Sequence, residues 1–235
     1  MALQTLQDIQ HAIERLPDGA RVGLEKWFYS HPLRYGDLEE IDRVAQAAAV
    51  YKVDRIRMSP EQYLEFDAAS PIRHEYVAGD VFAMSGPSKR HNAIAINFIV
   101  SFSQHLRGGP CRPYMAEVKT RIRVNHDEFY YYPDVMVVCG SASADSHYVE
   151  DPKLVIEVLS PSTERTDRRE KALNYRQLPS LEEYVLVAQD TPEVLLHRRS
   201  GDWLPQRCNT LEEVVQFSSI GLSLTLAQIY EGVFY

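Results

Sequence analysis

The apolar residues of this chain change their spacing from segment to segment, and that spacing predicts the elements. Leu3, Leu6, Ile9, Ile13 and Leu16 recur at helical intervals and stop at the breaker Pro17-Asp18-Gly19. Further helical pieces follow at Val22 to Tyr29 and Leu38 to Val50, so residues 1–57 are expected to form an α-helical N-terminal extension. From Met58 the pattern becomes mixed. Ser59, Pro60 and Gln62 make a capping signature for a short helix. The run RHEYVAGDVFAMS alternates as two short strands around AGD. Ser88 to Leu106 places Ala95, Phe98, Ile99, Phe102 and Leu106 on one helical face and ends at Gly108-Gly109.

VKTRIRV, the turn NHDE and FYYYPDVMVV read as a hairpin. LVIEVLS is a continuous apolar strand, which implies burial on both faces. Asp167 to Leu178 reads as a helix, EYVLVAQ and EVLLHRR as strands, and LAQIYEGVF as a short closing helix. Strands flanked by helices around a buried central strand predict an α/β (α+β) domain over residues 58–235, with a central mixed β-sheet.

Two acids interrupt these apolar runs. Asp134 follows Pro133 in YYYPDVMVV, and Glu157 lies among Leu154, Val155, Ile156, Val158 and Leu159. Burying an ionised carboxylate costs several kcal/mol unless it is paired or bound to a metal. Two carboxylates on neighbouring strands repel each other unless a cation sits between them. Hard cations such as Mg²⁺ or Mn²⁺ take oxygen ligands and keep several waters, so two carboxylates and a substrate phosphate suffice. The pattern therefore points to a divalent-metal site at Asp134 and Glu157, and to phosphodiester hydrolysis.

The chain has 235 residues, is 45% hydrophobic and carries a net charge of −8. That charge argues against coating nucleic acid through bulk attraction, while leaving room for a local basic rim beside an acidic centre. Cys111, Cys139 and Cys208 are odd in number and widely spaced, so free thiols in a cytoplasmic protein are expected. No run approaches a membrane span.

The motifs RHEYVAGDVFAMSG, RHNAIAINF, YYPDVMVV, LVIEVLSPSTERTDRREKALNYRQLPSLEEYVLV and LAQIYEGV resemble, in that order, the bacterial Uma-two family of the PD-(D/E)XK nuclease superfamily. The resemblance covers about residues 58 to 235. It implies a restriction-endonuclease-like fold and a Mg²⁺- or Mn²⁺-dependent endonuclease acting on DNA. Its catalytic residues would be Glu75, Asp134, Glu157 and Lys171, with Asp134 and Glu157 holding the metal. Leu159 stands where the motif has a lysine, and Lys171 on the following helix would take that lysine's place. The alternative is a nuclease fold that binds nucleic acid, or regulates, without turnover.

Candidate nucleic-acid contacts are Lys89, Arg90 and His91 at the start of the long helix, then Lys119, Arg165, Arg168 and Tyr175. Lys119, Arg121 and Arg123 alternate and are expected to share a sheet face, forming a phosphate groove with Arg165, Arg168 and Arg169. A homodimer is also expected, and the helical N-terminus is suited to docking or dimerisation.

Overall fold

The structure is a computed structural model and describes residues 57–84, 86–140, 147–160 and 166–234. The expected N-terminal helices and Arg165 lie outside the described residues.

Helix α1 (Pro60–Ala69) starts as its sequence predicts. The Ser59 amide donates to Gln62 Oε1 at 2.9 Å, and the Gln62 amide donates back to Ser59 Oγ at 3.3 Å. Strands β1 (His74–Val77) and β2 (Asp80–Ala83) form a hairpin, whose turn residues Ala78 and Gly79 have φ of 50° and 105°. Helix α2 (Lys89–His105) follows, capped by Ser88. Next come β3 (Cys111–Met115), β4 (Lys119–Val124), β5 (Asp127–Tyr131), β6 (Val135–Cys139), β7 (Tyr148–Val149) and β8 (Pro152–Leu159). A π-helical turn, Asp167–Lys171, runs into the short helix α3 (Ala172–Tyr175). Strands β9 (Glu183–Ala188), β10 (Val194–Arg198), β11 (Pro205–Cys208), β12 (Val214–Phe217) and β13 (Leu222–Thr225) lead to α4 (Leu226–Ile229).

These elements form a mixed α+β architecture. The first sheet has the order β2-β1-β5-β4-β7, and the second has β11-β10-β9-β8-β6-β3. Strand β8 is interior to the second sheet, parallel to β9 and antiparallel to β6. Its period of two sorts its residues. Leu154, Ile156 and Val158 pack with Ile94, Phe98 and Phe102 of α2. Val155 and Leu159 pack on the other side with Tyr131, Tyr175 and Tyr184. The continuous apolar run of β8 is thus explained by a covering layer on each face.

The expected long strand FYYYPDVMVV divides at Pro133-Asp134. Its first half, β5, pairs with β4 and β1, and its second half, β6, crosses to the other sheet. Proline lacks the amide that would continue the ladder, so the break falls there. The predicted helix over Asp167 to Leu178 is a wide π turn that continues as α3 only to Tyr175.

The cysteine expectation is corrected. Cys111 and Cys139 face each other across β3 and β6, with Cα atoms 3.9 Å apart, and form a disulfide; Cys208 is free and buried. Strand register brings the pair together, and no local spacing signals it. No helix among the described residues is long and apolar enough to cross a membrane.

The core between α2 and the second sheet centres on Phe98, Phe102 and Phe217, all with no exposed surface. Their ring centroids lie 5.4–6.0 Å apart in edge-on contact. Replacing Phe102 by Ala is expected to cost about 3–5 kcal/mol, through lost transfer energy and a cavity. Urea unfolding of the variant measures this.

Candidate active site

Strand β8 carries Glu157 on the same face as Val155 and Leu159, in a strand that is otherwise apolar from Leu154 to Leu159. The register Val135↔Ile156 sets Asp134, just before β6, opposite Glu157. The Val158 amide donates to Asp134 Oδ2 at 2.7 Å, so the end of β8 grips the acid directly. Lys171 comes from the π turn and is 4% exposed. Its Nζ lies 2.8 Å from Glu75 Oε1, 3.2 Å from Asp167 Oδ1 and 3.5 Å from Glu157 Oε1. Glu75 belongs to β1 of the first sheet, so this one ammonium draws both sheets and the π turn together.

The structure therefore groups Glu75, Glu157 and Lys171, with Asp134 alongside on the neighbouring strand. It adds Asp167, which is not among the site residues expected from the sequence. Asp167 is 1% exposed. Its signal was present in the spacing to Lys171, with Ala172 and Tyr175 continuing the same buried segment.

Leu159 is buried in the cluster that also contains Val155 and Tyr175. A lysine there would enter an apolar layer, whereas Lys171 approaches Glu157 from the adjoining turn. Tyr175 lies fully buried and donates to Glu157 Oε1 at 3.3 Å, so it supports the acid from below and has no surface for a nucleic acid.

Burial, and after it the surplus of negative charge, sets the electrostatics. Burial pushes Glu157 well above the ordinary carboxylate range; Lys171 opposes this, and the charges of Asp167, Asp134 and Glu75 add to it. Burial likewise raises Glu75, against the pull of Lys171. Burial disfavours the charged Lys171, but Glu157, Glu75 and Asp167 outweigh it and hold the ammonium protonated.

A second buried network lies across the same cavity. Asp67 of α1 accepts from Lys119 Nζ at 2.6 Å, from Tyr132 Oη at 2.5 Å and from the His74 amide at 2.8 Å. Burial would raise its carboxyl, yet these bonds and the Lys119 charge hold it below the ordinary range. An acid in the last turn of a helix opposes the helix dipole, and that was the available sequence signal for a buried partner.

The cavity has a volume of about 860 Å³, and its lining includes Asp67, Lys119, Asp134, Glu157, Asp167 and Lys171. His91 enters from α2, with Nε2 3.1 Å from Asp134 Oδ2. The other predicted contacts are dispersed. Lys89 is exposed, Arg90 pairs with Asp190 at 3.1 Å, and Arg168 pairs with Glu193 at 3.6 Å. The expected phosphate groove does not assemble from β4. Arg121 and Arg123 are tied to Glu128 and Glu150, while Lys119 is committed to Asp67.

Among the described residues, no group of three or more His, Cys, Asp or Glu side chains is arranged to hold a metal ion. The donor chemistry nevertheless suits a hard divalent cation. Carboxylate oxygens exceed the cations beside them, and Asp134 and Glu157 both line the cavity on adjacent strands.

Comparison with known proteins agrees with this architecture. Residues 60–227 match the family model "Uma2: Putative restriction endonuclease". An uncharacterized protein of Synechocystis sp. is 36% identical over 180 residues, covering 75% of this chain and 93% of its own. A second Synechocystis protein, also uncharacterized, is 27% identical over 152 residues, covering 63% of this chain and 85% of its own. The crystal structure of "a putative nuclease belonging to DUF820" from Anabaena variabilis superposes with a TM-score of 0.63 at 17% identity. That match covers 74% of this chain and 97% of the other, and it identifies the fold.

Removing Lys171 tests the charge balance. A carboxyl whose folded pKa is raised binds its proton more tightly when folded, so stability falls as pH rises through that folded value. Lys171→Met enlarges this effect by deleting the opposing charge. The variant is expected to lose about 3–5 kcal/mol near pH 8 and to regain part of it near pH 5. Urea titrations at both pH values measure this, and an equal loss at each would contradict it.

Proposed function

Because the chain belongs to the Uma2 family, described as "Putative restriction endonuclease", we propose that it is a divalent-metal-dependent endonuclease hydrolysing phosphodiester bonds of DNA. The observation that carries this reading is the convergence of Glu75, Glu157 and Asp167 on Lys171, with Asp134 held opposite Glu157 at the wall of one cavity. Asp134 and Glu157 would hold Mg²⁺ or Mn²⁺, with water and a substrate phosphate completing the shell. When bound, the ion supplies positive charge and a more acidic water.

The protein's own groups account for the rest. Lys171 is a buried, fully charged ammonium beside Glu157, placed to stabilise negative charge growing on the phosphate or to orient the attacking water. Glu75 and Asp167 hold that ammonium in place. Tyr175 holds Glu157 from below. The net charge of −8 requires that DNA be drawn in locally, and Lys89 at the start of α2 is exposed for such a contact. These acids and the lysine all come from one chain, so a homodimer would serve to pair two cuts rather than to complete a site.

A second reading, a nuclease fold that binds DNA without turnover, is favoured by Leu159 in the position of the motif lysine and by the engagement of Lys171 with three acids. Incubating plasmid DNA, and matched RNA, with the full chain and Mg²⁺ or Mn²⁺ separates the two. Cleavage is expected, abolished by chelation and reduced at least about 100-fold in Asp134→Asn, Glu157→Gln and Lys171→Ala. Undiminished cleavage in these variants would sink the assignment. Binding at low salt without cleavage under either metal would establish the second reading.

A further inference from the structure

The first turn of α2 is anchored more firmly than a helix start requires. Ser88 Oγ accepts from the His91 amide at 3.1 Å and donates to Gln189 Oε1 at 2.6 Å. Arg90 reaches Asp190 in the same turn after β9, at 3.1 Å. These contacts fix the helix start against the end of the second sheet, and His91 leaves it toward the cavity.

The imidazole then meets Asp134. His91 Nε2 lies 3.1 Å from Asp134 Oδ2, the oxygen that already accepts the Val158 amide at 2.7 Å. The two side chains, 14% and 16% exposed, thus meet beside the end of β8 at the cavity wall. Asp134 lies in the break between β5 and β6, with its carbonyl accepting from the Ala116 amide at 3.3 Å, so its main chain is held apart from its carboxylate. A single bond from Val158 would leave its carboxylate free to swing. Two donors converging on the same oxygen set its orientation.

We propose that His91 is a positioning residue for the cation site: it holds Asp134 by Oδ2 and leaves Oδ1 for the ion. This role rests on the metal-dependent reading above and replaces the phosphate contact expected from the sequence. Hydrogen bonds to a ligating carboxylate commonly change metal affinity by about 10–100-fold when removed. His91 acts on the ion only through Asp134, so the effect belongs to cation binding and not to the chemical step.

The test is Mn²⁺ binding to the full chain without DNA, followed by the loss of the free-ion paramagnetic resonance signal. Variants are His91→Ala, His91→Leu, which fills the space without a donor, and His91→Gln, which restores one N–H. Circular dichroism confirms that each is folded. Mn²⁺ binding is expected to weaken about 10-fold or more in the Ala and Leu variants and to stay within about threefold in the Gln variant. In DNA cleavage, His91→Leu should raise the Mg²⁺ concentration for half-maximal rate and leave the rate at saturating Mg²⁺ nearly unchanged. Unaltered or tighter Mn²⁺ binding in both donor-free variants, with binding by the unaltered chain, would overturn the positioning role alone. No Mn²⁺ binding by the unaltered chain would overturn the cation-site reading, and this role with it.

Discussion

A single buried ammonium, surrounded by acids, holds the site together. Lys171 contacts Glu75 from the first sheet, Glu157 from the second, and Asp167 from its own π turn. Each of these elements is placed by its own apolar packing, but their polar ends meet only here. The wide π turn lets Asp167 and Lys171 both face inward, and such turns recur at functional positions. Tyr175 and Tyr184 then seal the lower side, where Tyr184 donates to the Asp167 carbonyl at 2.8 Å.

Such a cluster is a poor device for stability. Desolvating several charges costs more than a mismatched set of ion pairs returns, and well-packed apolar residues would often do as well. The chain shows both arrangements within one cavity. Asp67 and Lys119 form a balanced pair, completed by Tyr132 and the His74 amide, and Asp67 is held in its charged form. Across from it, Glu75 and Glu157 are pushed toward neutrality, chiefly by burial and further by the neighbouring acids, against the pull of Lys171. A site left with unmet negative charge is one that another cation can relieve, and that imbalance distinguishes the wall at Glu157 from the wall at Asp67.

Much of the local structure was legible in the chain because it rests on short-range physics. The Ser59–Gln62 capping box, the Ser88 cap, the apolar face of α2 and the buried run of β8 each follow from neighbours within a few positions. Glu157 was recognisable because an acid in a strand buried on both faces demands a partner. Other features were hidden because they depend on pairing between distant segments. The strand read through Tyr132 and Pro133 divides between two sheets, Cys111 meets Cys139 only through the β3–β6 register, and β11 and β12 alternate too weakly to be read. Arg121 and Arg123 looked like a phosphate stripe, yet Glu128 and Glu150 claim them.

Residue chemistry and local periodicity were enough to determine the α+β class and the acids that cannot lie idle in apolar strands. Tertiary structure decided which groups share a charge. It brought Asp167 into the cluster, sent Lys119 to Asp67 instead of to the acids, and turned His91 onto Asp134. The reason is physical. Periodicity reports which face of an element is buried, whereas the energy of a charge depends on groups that only the meeting of two sheets and a helix start can place within a few ångströms.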